Sequence, residues 1–182
     1  MTRRFLLFPM VFAVMLSLVS GSQAEDLENM LYINLDTGRV TIKLRPDLAP
    51  NHVARIKELV RDGFYNGVVF HRVIPGFMAQ TGDPTGTGSG GSGQNLDAEF
   101  TLTQHVRGTV SMARAQSPNS ADSQFFFVYD NAPHLDGQYT VWGEVTEGME
   151  LIDGLKQGTA AGNGLVDDPD HIVSMEVAAD AE

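Results

Sequence analysis

The chain has 182 residues, no cysteine, and 23 acidic against 12 basic residues, so its formal net charge is −11. Without cysteine it has no disulfide, no thiol redox centre and no cysteine-ligated zinc. The acidic balance argues against nucleic acid and anionic membrane surfaces as partners.

The first residues have the pattern of a secretory signal peptide. Two arginines precede an almost wholly apolar run over residues 5–19, and small residues lead up to Ala24. The run is too short for a membrane-spanning helix, although an uncleaved anchor is the alternative. We predict a signal peptide at 1–24, a single domain at 25–182 with a charge of −13, no stable membrane insertion after cleavage, and an exported, periplasmic location.

Hydrophobic periodicity predicts a β-hairpin and then a helix. Apolar and polar residues alternate over residues 30–45 around a turn that contains glycine. From Pro50 onward the apolar residues fall on one helical face, and this pattern ends at Gly63.

The segment 68–80 combines large apolar side chains with one cation and one amide. Alternation along a strand places Phe70, Arg72 and Ile74 on one face, and a Pro-Gly pair then turns the chain. An arginine beside apolar side chains suits a mostly apolar ligand that carries an amide, such as a prolyl peptide. A buried hairpin whose arginine reaches to water is the alternative from this segment alone.

The second half of the chain continues with strands and few helices. A Gly-rich stretch at 84–95 predicts a flexible surface loop, because it lacks the patterns of phosphate-binding loops. A second helix is predicted over 149–156. Further β-like runs lie at 109–112, 124–129, 140–144 and 171–177. With no linker long enough to divide domains, the pattern predicts a mostly β barrel or sandwich.

Other kinds of catalytic site find little support in the sequence. The five histidines lack metal-ligand spacing, so no metal site is predicted. Ser111 and Ser123 lack the context of a nucleophile elbow, and scattered residues do not support a Ser-His-Asp hydrolase. The three phenylalanines at 125–127 are typical of a core strand, or of an apolar slot that extends from Gln124.

Four motifs together resemble the cyclophilin-type peptidyl-prolyl isomerases. FHRVIPGFMAQTGD at 70–83 resembles the family signature. SMARA at 111–115, DSQFF at 122–126 and LDGQYTVWG at 135–143 follow in the family order. The similarity extends over about residues 30–177, and the chain resembles the exported bacterial kind. The resemblance implies a mostly β fold: a closed eight-stranded antiparallel β-barrel capped by two α-helices, with the active groove on its outer face.

The resemblance also implies roles for individual residues. Arg72 matches the catalytic arginine, whose guanidinium contacts the prolyl amide, and Gln80 matches the side chain that holds a substrate carbonyl. The walls of the proline pocket are matched by Phe77, Met78, Phe126 and Leu135. The border on the N-terminal side of the peptide is matched by Ala113, Arg114 and Ala115, and a polar groove residue by Gln124.

Two positions of the groove depart from the best-known eukaryotic pattern. His134 stands where that pattern has tryptophan, and Tyr139 stands where it has histidine. Both are expected to contact substrate. Because the tryptophan is associated with tight cyclosporin binding in the family, we expect weak cyclosporin binding and retained catalysis.

The expected activity is peptidyl-prolyl cis-trans isomerisation without metal or cofactor. The expected partners are proline-containing unfolded or flexible polypeptides, with no nucleic acid, and the expected role of the monomer is to assist folding of exported proteins. A holdase that uses the groove without turnover is one alternative, against which the intact set of Arg72, Phe77 and Gln80 argues. A hollow, lipocalin-like barrel is another, and the large side chains at Phe70, Phe125 and Phe127 favour a filled interior instead.

Overall fold

Eight β-strands hydrogen-bond into one antiparallel sheet in the computed structural model, which describes residues 26–181. The predicted signal peptide at 1–24 lies outside the described residues. The order of the strands across the sheet is β3-β4-β6-β5-β7-β2-β1-β8. The strands are β1 (Met30–Leu35), β2 (Gly38–Leu44), β3 (Arg72–Ile74), β4 (Met78–Thr81), β5 (Thr109–Met112), β6 (Phe125–Val128), β7 (Val141–Glu147) and β8 (Ser174–Val177).

Helix α1 (Pro50–Arg61) confirms the helix predicted from the apolar periodicity. Its proline occupies the first turn, where the missing N–H costs no hydrogen bond. Its apolar face packs against the sheet at β7 and β8. The buried residues on this face are His52, Val53, Ile56, Leu59 and Val60. Within residues 26–181, no helix is both long and apolar enough to cross a membrane.

Helix α2 (Met149–Asp153) is shorter than the predicted 149–156. It ends at Gly154, whose backbone N–H donates to the carbonyl of Glu150. The glycine before it, Gly148, has a φ of 81°, and a Cβ there would come within 2.6 Å of a backbone oxygen. Within residues 26–181, the other helical stretches are two short 3-10 helices (Pro133–Leu135 and Ala178–Asp180) and a helical stretch at 26–28.

The sheet is an open half-barrel, so the expected closed barrel was wrong. The end strands β3 and β8 share no ladder. The segments just before them, 67–70 and 170–172, are joined by an isolated bridge between Val69 and His171 and by three backbone hydrogen bonds. The connection that precedes β8 lies along β3 instead. There the Val73 N–H donates to the Gly164 carbonyl at 2.8 Å, and the Gly158 N–H donates to the Val73 carbonyl at 3.0 Å. With its outer edge taken, β3 has no groups left to pair with β8.

Large aromatic side chains fill the space between the sheet and α1. Phe125, Phe127 and Trp142 are fully buried there, which argues against a hollow, lipocalin-like interior. Phe70 and Val73 lie in the same core, although alternation placed Phe70 on the face of Arg72. Strand β3 begins only at Arg72, so the period of two does not extend back to Phe70.

A second, smaller apolar cluster lies on the opposite face of β4 and β6. Along β6, Phe125 and Phe127 belong to the main core, while Phe126 and Val128 belong to this cluster. On β4, Met78 pairs with Val128 and belongs to the same smaller cluster. The alternation of side chains along these strands therefore builds the candidate site directly on the outer face of the sheet.

Candidate active site

A groove on this outer face brings together most of the residues predicted to bind substrate. It has a volume of about 280 Å³ and is lined by Arg72, Phe77, Met78, Gln80, Ala113, Arg114, Phe126, His134, Leu135 and Tyr139. An adjoining pocket of about 420 Å³ shares Gln80, Ala113 and Arg114 with the groove and adds Ala115 and Gln124. The structure thus places every residue of the predicted site in two neighbouring pockets.

The apolar half of the groove is built from nearly buried side chains. Met78, Phe126 and Leu135 are 2%, 5% and 6% exposed, so they form a floor that does not rearrange easily. The Tyr139 ring meets the Phe126 ring edge-on, with centroids 5.8 Å apart. The His134 ring lies 5.4 Å from the Phe77 ring at the rim. Such an apolar hollow suits a small ring such as that of proline.

The guanidinium of Arg72 forms the polar wall of the groove. Its Nη1 donates to the Gln80 Oε1 at 3.1 Å, and its Nε donates to the Asn163 backbone carbonyl at 2.9 Å. Partial burial lowers the pKa of Arg72, against a smaller opposing effect of Tyr139. An arginine side chain loses its proton only far above neutral pH, so Arg72 stays positively charged.

A chain of amide groups orients Gln80. The Gln80 Nε2 donates to the Gln124 Oε1 at 2.8 Å. The Gln124 Nε2 in turn donates to the carbonyls of Gly88 and Gly90, at 3.0 and 2.8 Å. Because each amide nitrogen meets an oxygen, the Gln80 oxygen is left to face the Arg72 guanidinium.

The Gly-rich loop at 84–95 contains no helix or strand, but two carboxylates hold it. Burial opposes ionisation of Asp83, yet hydrogen bonds from its loop outweigh that effect and lower its pKa to about 2. The backbone donors to Asp83 are Thr85, Gly88 and Gly90, at 2.7, 2.6 and 3.0 Å. Asp122 accepts from the backbone N–H groups of residues 92 and 93. The two carboxylates therefore fix the loop whose backbone carbonyls accept hydrogen bonds from Gln124.

Arg114 separates the groove from the adjoining pocket. Its guanidinium lies 4.7 Å from the centroid of the Tyr139 ring and 5.7 Å from that of Phe100. Its Nε donates to the Gln138 carbonyl at 3.0 Å, and its Nη1 donates to the Ala115 carbonyl at 3.0 Å. These contacts hold the positive charge of Arg114 close to the two aromatic rings, at the border between the groove and the adjoining pocket.

Ser111, His105 and Asp136 lie together, although no sequence motif groups them. The His105 ring is 3.0 Å from the Ser111 hydroxyl and 3.0 Å from the Asp136 carboxylate. Ser111 and His105 are fully buried, and the Ser111 hydroxyl donates to the Thr140 carbonyl. The cluster therefore offers no nucleophile to a substrate and supports Phe126, on which the His105 ring stacks at 6.4 Å.

Asn163 is the site residue that sequence reasoning missed. Its Oδ1 accepts from Arg72 Nη2 at 3.2 Å, in addition to the backbone contact of the same residue. The pair Asn163-Gly164 is a turn signal in the sequence, but nothing there places the turn beside β3. Among residues 26–181 no three acidic or histidine side chains are grouped closely enough to hold a metal ion.

Comparison with known proteins decides the family. A sequence profile described as "Cyclophilin type peptidyl-prolyl cis-trans isomerase/CLD" matches residues 30–177. The chain belongs to this cyclophilin family. A "Probable peptidyl-prolyl cis-trans isomerase" of Brucella suis biovar 1 (strain 1330) is 50% identical over 182 residues, with 93% of each chain covered. A "Peptidyl-prolyl cis-trans isomerase" of Synechococcus elongatus is 41% identical over 151 residues, covering 81% of this chain and 96% of the relative.

A solved structure agrees with this assignment. The Cryptosporidium parvum cyclophilin crystallised in the presence of the dipeptide Ala-Pro matches with a TM-score of 0.75 and 31% identity, covering 81% of this chain and 98% of that chain. The protein is therefore an enzyme, a peptidyl-prolyl cis-trans isomerase of the cyclophilin family. The family and the enzyme class predicted from the motifs are confirmed.

Proposed function

We propose that this cyclophilin accelerates rotation about X–Pro bonds in exported polypeptides and so assists their folding in the periplasm. The observation that carries the proposal is the placement of Arg72, held beside an apolar hollow that has room for a proline ring. The exported location rests on the predicted signal peptide at 1–24.

Arg72 is the proposed catalytic residue. Amide resonance creates the rotation barrier, about 18–20 kcal/mol for an ordinary peptide bond, and uncatalysed X–Pro bonds isomerise in about tens to hundreds of seconds. In the twisted state the prolyl nitrogen becomes pyramidal and regains its lone pair. A charged N–H aimed at that nitrogen stabilises this state and not the planar one, which is the condition for catalysis. No bond is made or broken, so the proposal assigns no cofactor.

The apolar floor and the amide chain have separate tasks in this mechanism. Met78, Phe126 and Leu135 hold the proline ring, while Gln80 holds a carbonyl of the substrate backbone. With the ring fixed, the chain on the other side of the amide rotates, and the orientation of the reacting bond is set in advance. Tyr139 and His134 then contact the residues that flank the proline.

The proposed partners are flexible polypeptides that contain proline. The Cryptosporidium relative was crystallised in the presence of Ala-Pro, and an X–Pro dipeptide has the ring and the amide that this groove is shaped to receive. Because the groove is open and lies on the outer face of the sheet, an extended polypeptide can bind along it without passing a chain end through the protein. We propose that a monomer suffices, since every residue assigned to the site comes from one chain.

Refolding of an exported protein whose slow phase is limited by proline isomerisation tests the proposed role. Added cyclophilin should accelerate that phase, and the Arg72→Ala variant should not. Fractionation of the native host should place the protein in the periplasm. A higher refolding yield without acceleration of that phase by either protein would favour a holdase, and acceleration by both would refute the role of Arg72. Recovery of the chain only from the cytoplasm would overturn the proposed location.

A further inference from the structure

A loop outside the sheet contacts the guanidinium of Arg72 at its Nε and Nη2 atoms, whereas Gln80 contacts its Nη1 atom. The Arg72 Nε donates to the Asn163 backbone carbonyl at 2.9 Å, and its Nη2 donates to the Asn163 Oδ1 at 3.2 Å. Asn163 thus accepts hydrogen bonds from two guanidinium nitrogens, as a carboxylate does in a bidentate salt bridge. Asn163 does not line the groove or the adjoining pocket, so its contact is with the arginine and not with the substrate space.

The backbone at Asn163 has the conformation that such a contact requires. Its φ is 51°, and that of Gly164 is 84°, so two successive residues are left-handed. Asparagine tolerates this region better than most residues other than glycine. The turn closes with the Asn163 N–H donating to the Ala160 carbonyl at 3.2 Å. It leaves both oxygens of Asn163 facing the guanidinium.

Contacts that do not involve the guanidinium fix this loop to β3. The Val73 N–H donates to the Gly164 carbonyl at 2.8 Å. A Cβ added to Gly164 would come within 2.5 Å of the Ile74 side chain and 3.2 Å of the Val73 carbonyl, so only glycine allows the loop to approach this closely. The position of Asn163 relative to Arg72 is therefore set by the backbone.

We propose that Asn163 is a positioning residue that fixes the guanidinium of Arg72 for the isomerase reaction. Asn163 and Gln80 take three of the five N–H donors of the side chain, and Nη1 also makes a weak contact with the Met78 sulfur at 4.0 Å, which leaves the second N–H of Nη2 for the prolyl amide. An unrestrained arginine would lose rotamer freedom each time it met a substrate, whereas here that freedom is lost on folding. The inference rests on the proposed catalytic role of Arg72.

The substitution Asn163→Gly isolates the side-chain contact. Glycine keeps the positive φ and the backbone carbonyl that accepts from Nε, and it removes only Oδ1. We expect kcat for a prolyl tetrapeptide, measured by NMR exchange, to fall about fivefold while KM changes less than about twofold. Asn163→Asp keeps an oxygen acceptor at the same place and should retain kcat within about twofold of the parent.

A matched control and a double variant separate positioning from folding. Asp168 is exposed, has a φ of 52°, and lies in the same connection, but its side chain contacts Lys156 and not Arg72. Asp168→Gly should keep the parental kcat. In an Arg72→Ala background, Asn163→Gly should cause no further loss, because the residue through which it acts is gone.

The outcomes distinguish this inference from the proposed function. A parental kcat for Asn163→Gly, beside a large loss for Arg72→Ala, overturns the positioning role and leaves the role of Arg72 standing. Parental activity of Arg72→Ala overturns the proposed mechanism itself. A further loss from Asn163→Gly in the Arg72→Ala background means that Asn163 acts by another route. A lower melting temperature with an unchanged kcat assigns it a structural role only.

Discussion

Arg72 and Gln80 are directly opposed on β3 and β4, and their side chains meet at 3.1 Å. Opposed residues of an antiparallel pair project on the same face of the sheet. A short turn at 75–77 joins the two strands, so one hairpin delivers both polar residues to the groove. The arrangement explains how the nine residues 72–80 can carry both Arg72 and Gln80 to the active site.

Replacement of Arg72 tests the donor that the mechanism requires. Arg72→Ala should lower kcat/KM by about 100-fold or more, because the twisted amide loses its charged hydrogen bond. Arg72→Lys should also be impaired, since a flexible ammonium cannot contact Asn163 and Gln80 with a planar fork. A protease-coupled or NMR exchange assay on a prolyl tetrapeptide measures both.

Thermal unfolding provides the control for these two variants. Their melting temperatures should stay near that of the parent, because the arginine is half-buried and acts in turnover. Isomerisation at the parental rate by Arg72→Ala would refute the mechanism. An unfolded variant would instead identify Arg72 as a residue that the sheet needs for stability.

Those parts of the fold that depend on local periodicity could be predicted from the sequence. The hairpin of β1 and β2 lies where alternation placed it, and β1 alternates between buried and half-buried residues. Strand β5 (Thr109–Met112) coincides with the predicted β-like run, although all four of its residues are buried. The residues of the site were grouped by the resemblance of four separate motifs to the cyclophilin family, and not by periodicity. Asn163 could not be found, because it lies 91 residues from Arg72 in a loop whose course depends on tertiary hydrogen bonds. The open edge of the sheet could not be predicted either, because it also depends on tertiary hydrogen bonds, those between β3 and the connection that precedes β8.

The expected ligand preference rests on His134, at the rim of the groove. Its exposed ring contacts Phe77, and the family pattern has tryptophan at this position. We expect the parent to bind cyclosporin weakly, and His134→Trp to tighten binding by about 1–2 kcal/mol, the scale of one good aromatic contact. Isothermal calorimetry on the two proteins gives the comparison. Tight binding by the parent would count against this assignment.

Processing of the chain is a separate prediction. The basic start, the apolar run and the small residues before Glu25 predict that the mature protein begins at Glu25. N-terminal sequencing of the protein from the periplasmic fraction of its native host measures this directly. A mature protein that starts at Met1 would refute both the cleavage site and the proposed export.

Two buried histidines predict how stability depends on pH. Burial lowers the pKa of His71 and of His105, and at His105 the Asp136 carboxylate opposes this effect without cancelling it. In the unfolded chain both rings return to an ordinary pKa near 6.5. As the pH falls through that value the unfolded state takes up protons first, so the free energy of unfolding should decrease from about pH 7 to about pH 5.

Urea unfolding at several pH values checks this dependence. Substitution His71→Gln should reduce its slope, because one of the two groups is removed. A free energy of unfolding that stays constant between about pH 7 and about pH 5 would mean that the histidines bind protons equally in both states.

Asp83 connects the stability of the Gly-rich loop to substrate binding. Its buried carboxylate accepts hydrogen bonds from the backbone of Thr85, Gly88 and Gly90, and two of these residues also hold Gln124. Asp83→Asn keeps the shape but replaces one acceptor oxygen by a donor that faces other donors. We expect a loss of about 2–3 kcal/mol in the free energy of unfolding, together with a higher KM for prolyl peptides, because Gln124 and then Gln80 lose their orientation. Urea unfolding and steady-state kinetics measure the two effects, and a destabilised variant with an unchanged KM would separate the loop from the groove.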